Sequence, residues 1–252
     1  MDYLTFDLVA VALPATLLLA RAQGRRRVLG PVAVLAATAV LWTAPWDEHL
    51  VRSGVWSYAP DRVLARFGSV PVEEYAFVVL EVLLVAAWAL RSGALPLRRL
   101  GGDDGARTGS CRRGALGWGA VAALGLLLAL VGGQVRYLGL LLLWAGPPLA
   151  LQHAVAGDVL AQRRPARLRT ALPVALWLCA ADRLALADGV WSITPASSTG
   201  LSVLGLPAEE ALFFCLTCAL VTDGLLLAAD PAVLRRALAR FVPDRSRRTV
   251  AS

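Results

Sequence analysis

The 252-residue chain has no lysine; all 25 of its basic residues are arginine. A retinal Schiff base needs a lysine amine, so a seven-helix photoreceptor of the usual kind is excluded. Histidine occurs twice and cysteine four times. No cluster has metal-ligand spacing, so no metal is expected, and no serine or cysteine has a nearby base to activate it. Cys215 and Cys218 stand at a CxxC spacing inside an apolar run, without a second pair or a neighbouring histidine. They read as small, soft residues of a membrane helix rather than a zinc or redox site. Cys111 falls in a loop and Cys179 in an apolar run, which indicates no structural disulfide. His49, two residues after Asp47, fits a proton relay or a solvated interfacial histidine, and His153 reads as a satisfied polar group. Gly101-Gly102-Asp103-Asp104-Gly105 lacks the strand-to-helix context of a P-loop or a Rossmann turn, so no dinucleotide cofactor is expected. Charge is scarce, at 17% against 58% hydrophobic residues, and mean hydropathy is +0.63. A soluble domain rarely has that balance.

Long apolar runs take the place of what is missing. A bilayer-spanning helix needs about 20 apolar residues, and runs near 3–20, 28–46, 72–90, 115–133, 137–156, 170–188 and 207–229 supply them. The expected fold is all-α, a polytopic membrane protein with seven transmembrane helices. The first run, from Leu4, has no preceding basic region or cleavage site and reads as a retained span. The sixth must continue through Asp182 and Arg183 to reach the far side. The arginines are concentrated in alternate connections: Arg21 to Arg27, Arg91 to Arg113, Arg163 to Arg169 and Arg235 to Arg248. The positive-inside rule places these in the cytoplasm, with the N-terminus outside and the C-terminus cytoplasmic in a multi-pass cell-membrane protein. Net charge is +7 and the isoelectric point about 10.0. The arginines flank spans without interleaved stacking aromatics, so no nucleic acid is expected as a partner.

One phrase is written twice. Asp47, Gly54-Val55-Trp56-Ser57 and Pro60 recur 135 residues later as Asp182, Gly189-Val190-Trp191-Ser192 and Pro195. Pro71, Glu73-Glu74 and Phe77 recur 136 residues later as Pro207, Glu209-Glu210 and Phe213. Tyr3-Leu4 and Pro14 match Tyr137-Leu138 and Pro148 at an offset of 134. The chain is a tandem duplication. Its expected units are a first three-helix repeat (1–92), a linker with a connecting helix (93–136), a second three-helix repeat (137–230) and a basic tail (231–252). One intervening helix makes the two repeats cross in the same direction, as parallel repeats about an axis along the membrane normal.

The duplicated acids carry the chemistry. A proline followed by paired glutamates is also what an ordinary helix start looks like, because acids there meet the positive end of the helix dipole. Occurring twice, each time beside Asp47 or Asp182, the motif gathers three carboxylates per unit at one end of the bundle. Glu81 lies two turns beyond Glu74 on the same face, roughly 10 Å deeper, and an intramembrane carboxylate is a candidate functional group. Its repeat partner is Thr217, so the halves are unequal. Asp223, deep in the seventh run, has no acidic partner and reads as structural. Trp46, Trp56, Tyr58, Tyr75, Phe77, Trp191, Phe213 and Phe214 surround the acids. Interface belts account for many such aromatics, but π faces can also stand beside a developing cation. A low-dielectric site favours the neutral form of a carboxyl, which is then a proton donor. Proton-initiated chemistry on an apolar polyene fits this set, and a transporter with parallel repeats is the competing class.

Segments 45–60 (PWDEHLVRSGVWSYAP), 68–81 (GSVPVEEYAFVVLE), 181–195 (ADRLALADGVWSITP) and 204–217 (LGLPAEEALFFCLT) resemble the integral-membrane lycopene cyclases of actinobacteria, archaea and fungi, in the fused form. The resemblance covers nearly the whole chain. One departure lies in the seventh run, where Thr217 is followed by Cys218 instead of asparagine. The resemblance implies an isomerase of carotenoid biosynthesis that closes the acyclic ends of lycopene into β-ionone rings without net redox change or cofactor. A cyclase of fifty-carbon carotenoids giving ε or γ rings is the near alternative. It further implies Glu73, Glu74, Glu209 and Glu210 as the paired acids. Glu74 or Glu210 would give the proton, and Glu73, Glu209, Asp47 or Asp182 would remove one. Tyr75, Glu81 and the aromatics above would hold substrate. The implied partners are lycopene or a related acyclic carotenoid, the lipid bilayer and other enzymes of carotenoid biosynthesis.

Overall fold

Seven helices follow one another in a computed structural model that describes residues 1–24, 26, 28–95, 108–229 and 233. They are α1 (Tyr3–Ala20), α2 (Leu29–Arg52), α3 (Val72–Arg91), α4 (Thr108–Val131), α5 (Arg136–Gln162), α6 (Arg164–Asp188) and α7 (Ala208–Ala228). Six are long and apolar enough to cross a membrane; α3, the exception, carries Glu73, Glu74 and Glu81 among its apolar residues. The protein is an all-α polytopic membrane protein. The glycine-aspartate stretch 101–105, Arg25, Arg27, Arg98, Arg99, Arg107 and the basic tail lie outside the described residues.

Several boundaries differ from the sequence-based expectation; α5, for one, runs past 156 to Gln162 across a kink at Ala156. α2 runs past 46 to Arg52, because Pro45 removes only one donor and a Glu48–Arg52 ion pair one turn apart, 2.6 Å, supports the last turn. α6 begins six residues early, at Arg164, with Pro165 in its first turn, where the missing N–H costs nothing. Cys111 lies buried within α4 rather than in a loop. All four cysteines are free.

Two prolines shape the bundle in matching ways. Pro14 cannot bond the carbonyl of Ala10, and α1 widens into π-type turns over Asp7–Ala12 just before it. The Trp177 indole of α6 donates to that freed Ala10 carbonyl at 2.7 Å. Pro148 of α5 likewise frees the carbonyl of Trp144, and the Trp42 indole of α2 donates to it at 3.2 Å. Each pair is the repeat image of the other, so one device ties α6 to α1 and α2 to α5.

α4 packs on α5 through small residues. A Cβ added at Gly146 would stand 2.7 Å from the Ala122 Cβ, and Gly125 and Gly139 meet the opposing backbone just as closely. Backbones in lipid approach this way when side chains leave the seam. The opposite face of α4 is exposed, with Leu127, Leu130 and Val131 among its lipid-facing residues.

The symmetry becomes explicit at one end of the bundle. Gly54 (φ 70) and Gly189 (φ 73) turn the chain out of α2 and α6 in the left-handed region. The strands that follow, β1 (Trp56–Tyr58) and, later in the chain, β4 (Trp191–Ile193), pair antiparallel. Between them come β2 (Arg66–Phe67) and β3 (Val70–Pro71), a small hairpin leading into α3; β5 (Ser202–Val203) and β6 (Leu206–Pro207) repeat it before α7. In the β1–β4 ladder Ser57 faces Ser192, Trp56 faces Ile193 and Tyr58 faces Trp191. Ser57 and Ser192 are repeat mates, and the outer pairs exchange under the same offset. A pseudo-two-fold axis therefore passes between the two serines.

Candidate active site

Directly beneath this ladder lies a cavity of about 30 Å³ lined by aromatics and three carboxyls. The carboxyls are Glu74 from the first turn of α3, Glu210 from the first turn of α7, and Asp182 from α6. Pro71 and Pro207 stop the preceding strands and set the helix starts, so the paired glutamates enter side by side on successive positions. Successive helical residues point about 100° apart, and the two members of each pair accordingly go to different places.

Glu74 faces inward. Its Oε2 accepts hydrogen bonds from both the Tyr3 and Tyr58 hydroxyls, each at 2.7 Å. Glu210 is its image: the Tyr137 hydroxyl donates to Oε1 at 2.5 Å, and no second phenol reaches it because Ile193 stands where Tyr58 does. Asp182 accepts from the Trp191 indole at 2.9 Å through Oδ1, and its Oδ2 is buried without a partner. Among the described residues, no basic side chain lines this cavity. Ionising all three carboxyls would place three like charges around one apolar space.

Glu73 and Glu209 turn away from the cavity, stay buried and hold the loops. The Leu64 N–H donates to Glu73 Oε1 at 2.6 Å, and the N–H of its repeat mate Thr199 donates to Glu209 Oε1 at 2.7 Å. The Ser198 hydroxyl adds a 3.2 Å bond to Glu209. Neither Glu73 nor Glu209 lines the cavity.

The walls are built from pairs of rings. Trp191 meets Tyr3 and Phe6 with centroids 4.9 Å apart in each case, and Phe213 meets Phe214 edge-on at 5.1 Å. Trp56, Tyr58 and Phe77 complete the lining. At about 30 Å³ the space has room for a water molecule; a six-membered carbon ring needs these rings to move apart.

The remaining sequence candidates lie elsewhere. Trp46 stands behind the wall, stacked on Trp144 at 4.8 Å and edge-on to Trp56 at 5.3 Å. Asp47 is buried on α2 without lining the cavity. Tyr75 is half-buried and donates to the Phe67 carbonyl at 3.4 Å. Glu81 lines a second cavity between α2, α3, α5 and α7, where the Cys218 thiol approaches its Oε1 at 3.6 Å. Asp223 forms a two-pronged ion pair with Arg167, at 2.5 and 2.6 Å. His49 is exposed, and Nδ1 of His153 lies 3.0 Å from the Leu149 carbonyl.

Four site residues escaped the sequence reading. Tyr3 and Tyr137 hold the two inward glutamates from α1 and α5, and their duplication at a fixed offset was the available signal. Phe6 lines the cavity beside Tyr3. Asp7 follows it in the π-type turns, 1% exposed, with both carboxyl oxygens unpartnered. Its repeat position holds Leu141, so the duplication gave no hint of it.

Comparison with known proteins bears on the same segments. The family described as lycopene cyclase matches residues 2–90 and 136–228. The chain is 41% identical over 232 residues to a lycopene beta-cyclase of Halobacterium salinarum, covering 90% of this chain and 96% of that one. It is 33% identical over 221 residues to a bifunctional lycopene cyclase/phytoene synthase of Arthroderma gypseum, covering 81% of this chain and 37% of the fungal one. No solved structure matches. The chain belongs to the lycopene cyclase family.

Proposed function

We propose that the chain is a membrane-embedded lycopene cyclase, an isomerase that forms β-ionone rings. The observation that carries this reading is the convergence of Glu74, Glu210 and Asp182 on one aromatic-lined cavity, with no basic side chain among its described lining residues. A protonated Glu74 or Glu210 delivers its proton to the terminal double bond of an acyclic end group. The resulting tertiary cation is attacked by the next double bond, which closes a six-membered ring. A carboxylate, with Asp182 the best placed through its free Oδ2, removes a proton from the carbon next to the new cation. One proton enters and one leaves, so no electron acceptor and no cofactor is required. The phenols of Tyr3, Tyr58 and Tyr137 orient the two glutamates and stabilise the anion left after proton delivery. The aromatic faces stabilise the cation. Glu73 and Glu209 act indirectly, by anchoring the loops that close the site; Asp47 stands in reserve on the symmetric position of Asp182.

The same reading assigns residues 1–92 and 137–230 to the two repeats, 93–136 to the linker and 231–252 to a cytoplasmic tail, with the acid site toward the outer face. The relative from Halobacterium, named a lycopene beta-cyclase, supports the β ring over ε or γ. Expression in a lycopene-accumulating bacterium, followed by pigment chromatography, tests it: β-carotene or its one-ringed precursor is expected. Unchanged lycopene with the protein inserted in the membrane would refute the assignment.

A further inference from the structure

The second cavity, of about 110 Å³, is an elongated slot. It follows α2 from Leu35 to Thr43, about 12 Å along the helix. Phe77 and Phe213, repeat mates beside the axis, line both this slot and the acid cavity. Thr38 and Trp42 at its rim are exposed on a membrane-spanning helix, so the slot opens sideways toward lipid. Its lining is mostly apolar, although Gln152 Oε1 and Trp144 Nε1 are buried without a partner. The Gln152 amide donates to the Leu220 carbonyl at 3.0 Å, and Glu81 takes the Cys218 thiol. A thin, extended, apolar chain fits such a space.

The symmetric crevice, between α6 and α1, is built differently. Where the slot has Ala39, Thr43 and Val78, the repeat mates are Val174, Leu178 and Phe214, all buried in the core. Each of these three mates is larger than its counterpart and buried. The Trp42–Trp144 and Trp177–Ala10 bonds brace both crevices alike, so the two differ in which side chains face them: larger at Val174, Leu178 and Phe214, smaller at Ala10, Thr170 and Cys218 than at Trp144, Leu35 and Val82.

We propose that the slot between α2 and α5 is the single channel for the conjugated tail of an acyclic carotenoid whose end group sits among Glu74, Glu210 and Asp182. This rests on the cyclase reading. The acid site is then two-fold in ancestry and one-sided in use. Each binding event closes one ring, and a two-ringed product requires release and return with the molecule turned end for end.

The test places a photoreactive benzophenone amino acid at Thr38 or at its repeat mate Pro173, both exposed, in full-length protein in lycopene-containing membranes. Carotenoid is expected to crosslink at position 38 and not at 173. A Thr43→Leu/Val78→Phe variant, which imports the mates' side chains, is expected to lose ring formation at least ten-fold while remaining monodisperse in detergent. Equal crosslinking at the two positions, none at 38, or full activity of the filled variant would overturn the one-sided channel if wild-type membranes form rings. Absence of rings from wild type would instead overturn the cyclase reading, and this inference with it.

Discussion

Ser57 and Ser192 meet hydroxyl to hydroxyl at 2.8 Å, each the repeat mate of the other. An antiparallel pair centred on a residue and its own copy is what a two-fold axis requires. The same axis brings Glu74 and Glu210 to one cavity from helices far apart in the chain. Duplication thus supplied the two halves of a site that neither repeat encloses alone.

The hydroxyl support of the two glutamates is unequal, and this has a measurable consequence. Tyr137→Phe strips Glu210 of its phenol, whereas Tyr3→Phe leaves Tyr58 on Glu74. A hydrogen bond to a charged group contributes about 1.5–3 kcal/mol, which is roughly ten-fold or more in rate. If Glu210 delivers the proton, Tyr137→Phe is expected to slow ring formation by at least that factor and Tyr3→Phe by less, with Tyr3→Phe/Tyr58→Phe falling steeply. Initial rates in lycopene-loaded membranes provide the check.

Within each glutamate pair the two members are expected to differ sharply. Glu74→Gln removes an acid from the cavity and is expected to abolish cyclization without loss of protein. Glu73→Gln keeps a carbonyl oxygen for the Leu64 N–H, so it is expected to cost about 1 kcal/mol of stability and to leave measurable activity. Pigment chromatography beside a thermal melt in detergent separates the two outcomes.

Asp7 offers a case in which stability and activity move in opposite directions. A buried polar group without a partner costs about 1–3 kcal/mol, and neither Asp7 oxygen has one. Asp7→Leu, which matches the residue at the repeat position, is expected to raise the melting temperature. If the acid serves the neighbouring Glu74, the same variant will lower ring formation. A variant that is less stable and fully active would contradict both expectations.

The proline–tryptophan pairs can be tested by a double-mutant cycle. Trp177→Phe leaves the Ala10 carbonyl without its donor, at an expected cost of about 1 kcal/mol. Pro14→Ala restores a backbone N–H for that carbonyl, so in its presence the tryptophan change is expected to cost less. Additive effects would mean that the indole bond does not compensate the proline.

Much of this was legible before any coordinates, because the duplication marks whatever it copies. Glu74, Glu210, Asp182 and most of the aromatic lining could be named from the twice-written phrase. The opposite orientation of the two members of each glutamate pair could not, since it depends on which way consecutive side chains point against a loop whose anchoring N–H groups carry no sequence signal. Asp7 was hidden for the opposite reason: it has no copy. The lateral slot is lined from four helices, α2, α3, α5 and α7, and could be seen only once those helices were packed together. Helix ends at Arg52 and Arg164 were missed because hydropathy marks the membrane-facing part of a helix and not its hydrogen-bonded length.

Proton delivery by an exchangeable carboxyl is the centre of the account, and isotope labelling tests it most directly. The purified protein, returned to lycopene-containing vesicles in deuterium oxide, is expected to give rings that each carry a single deuterium by mass spectrometry, with no oxidant or reductant added. Ring product without deuterium, or formed only when a redox partner is supplied, would contradict it.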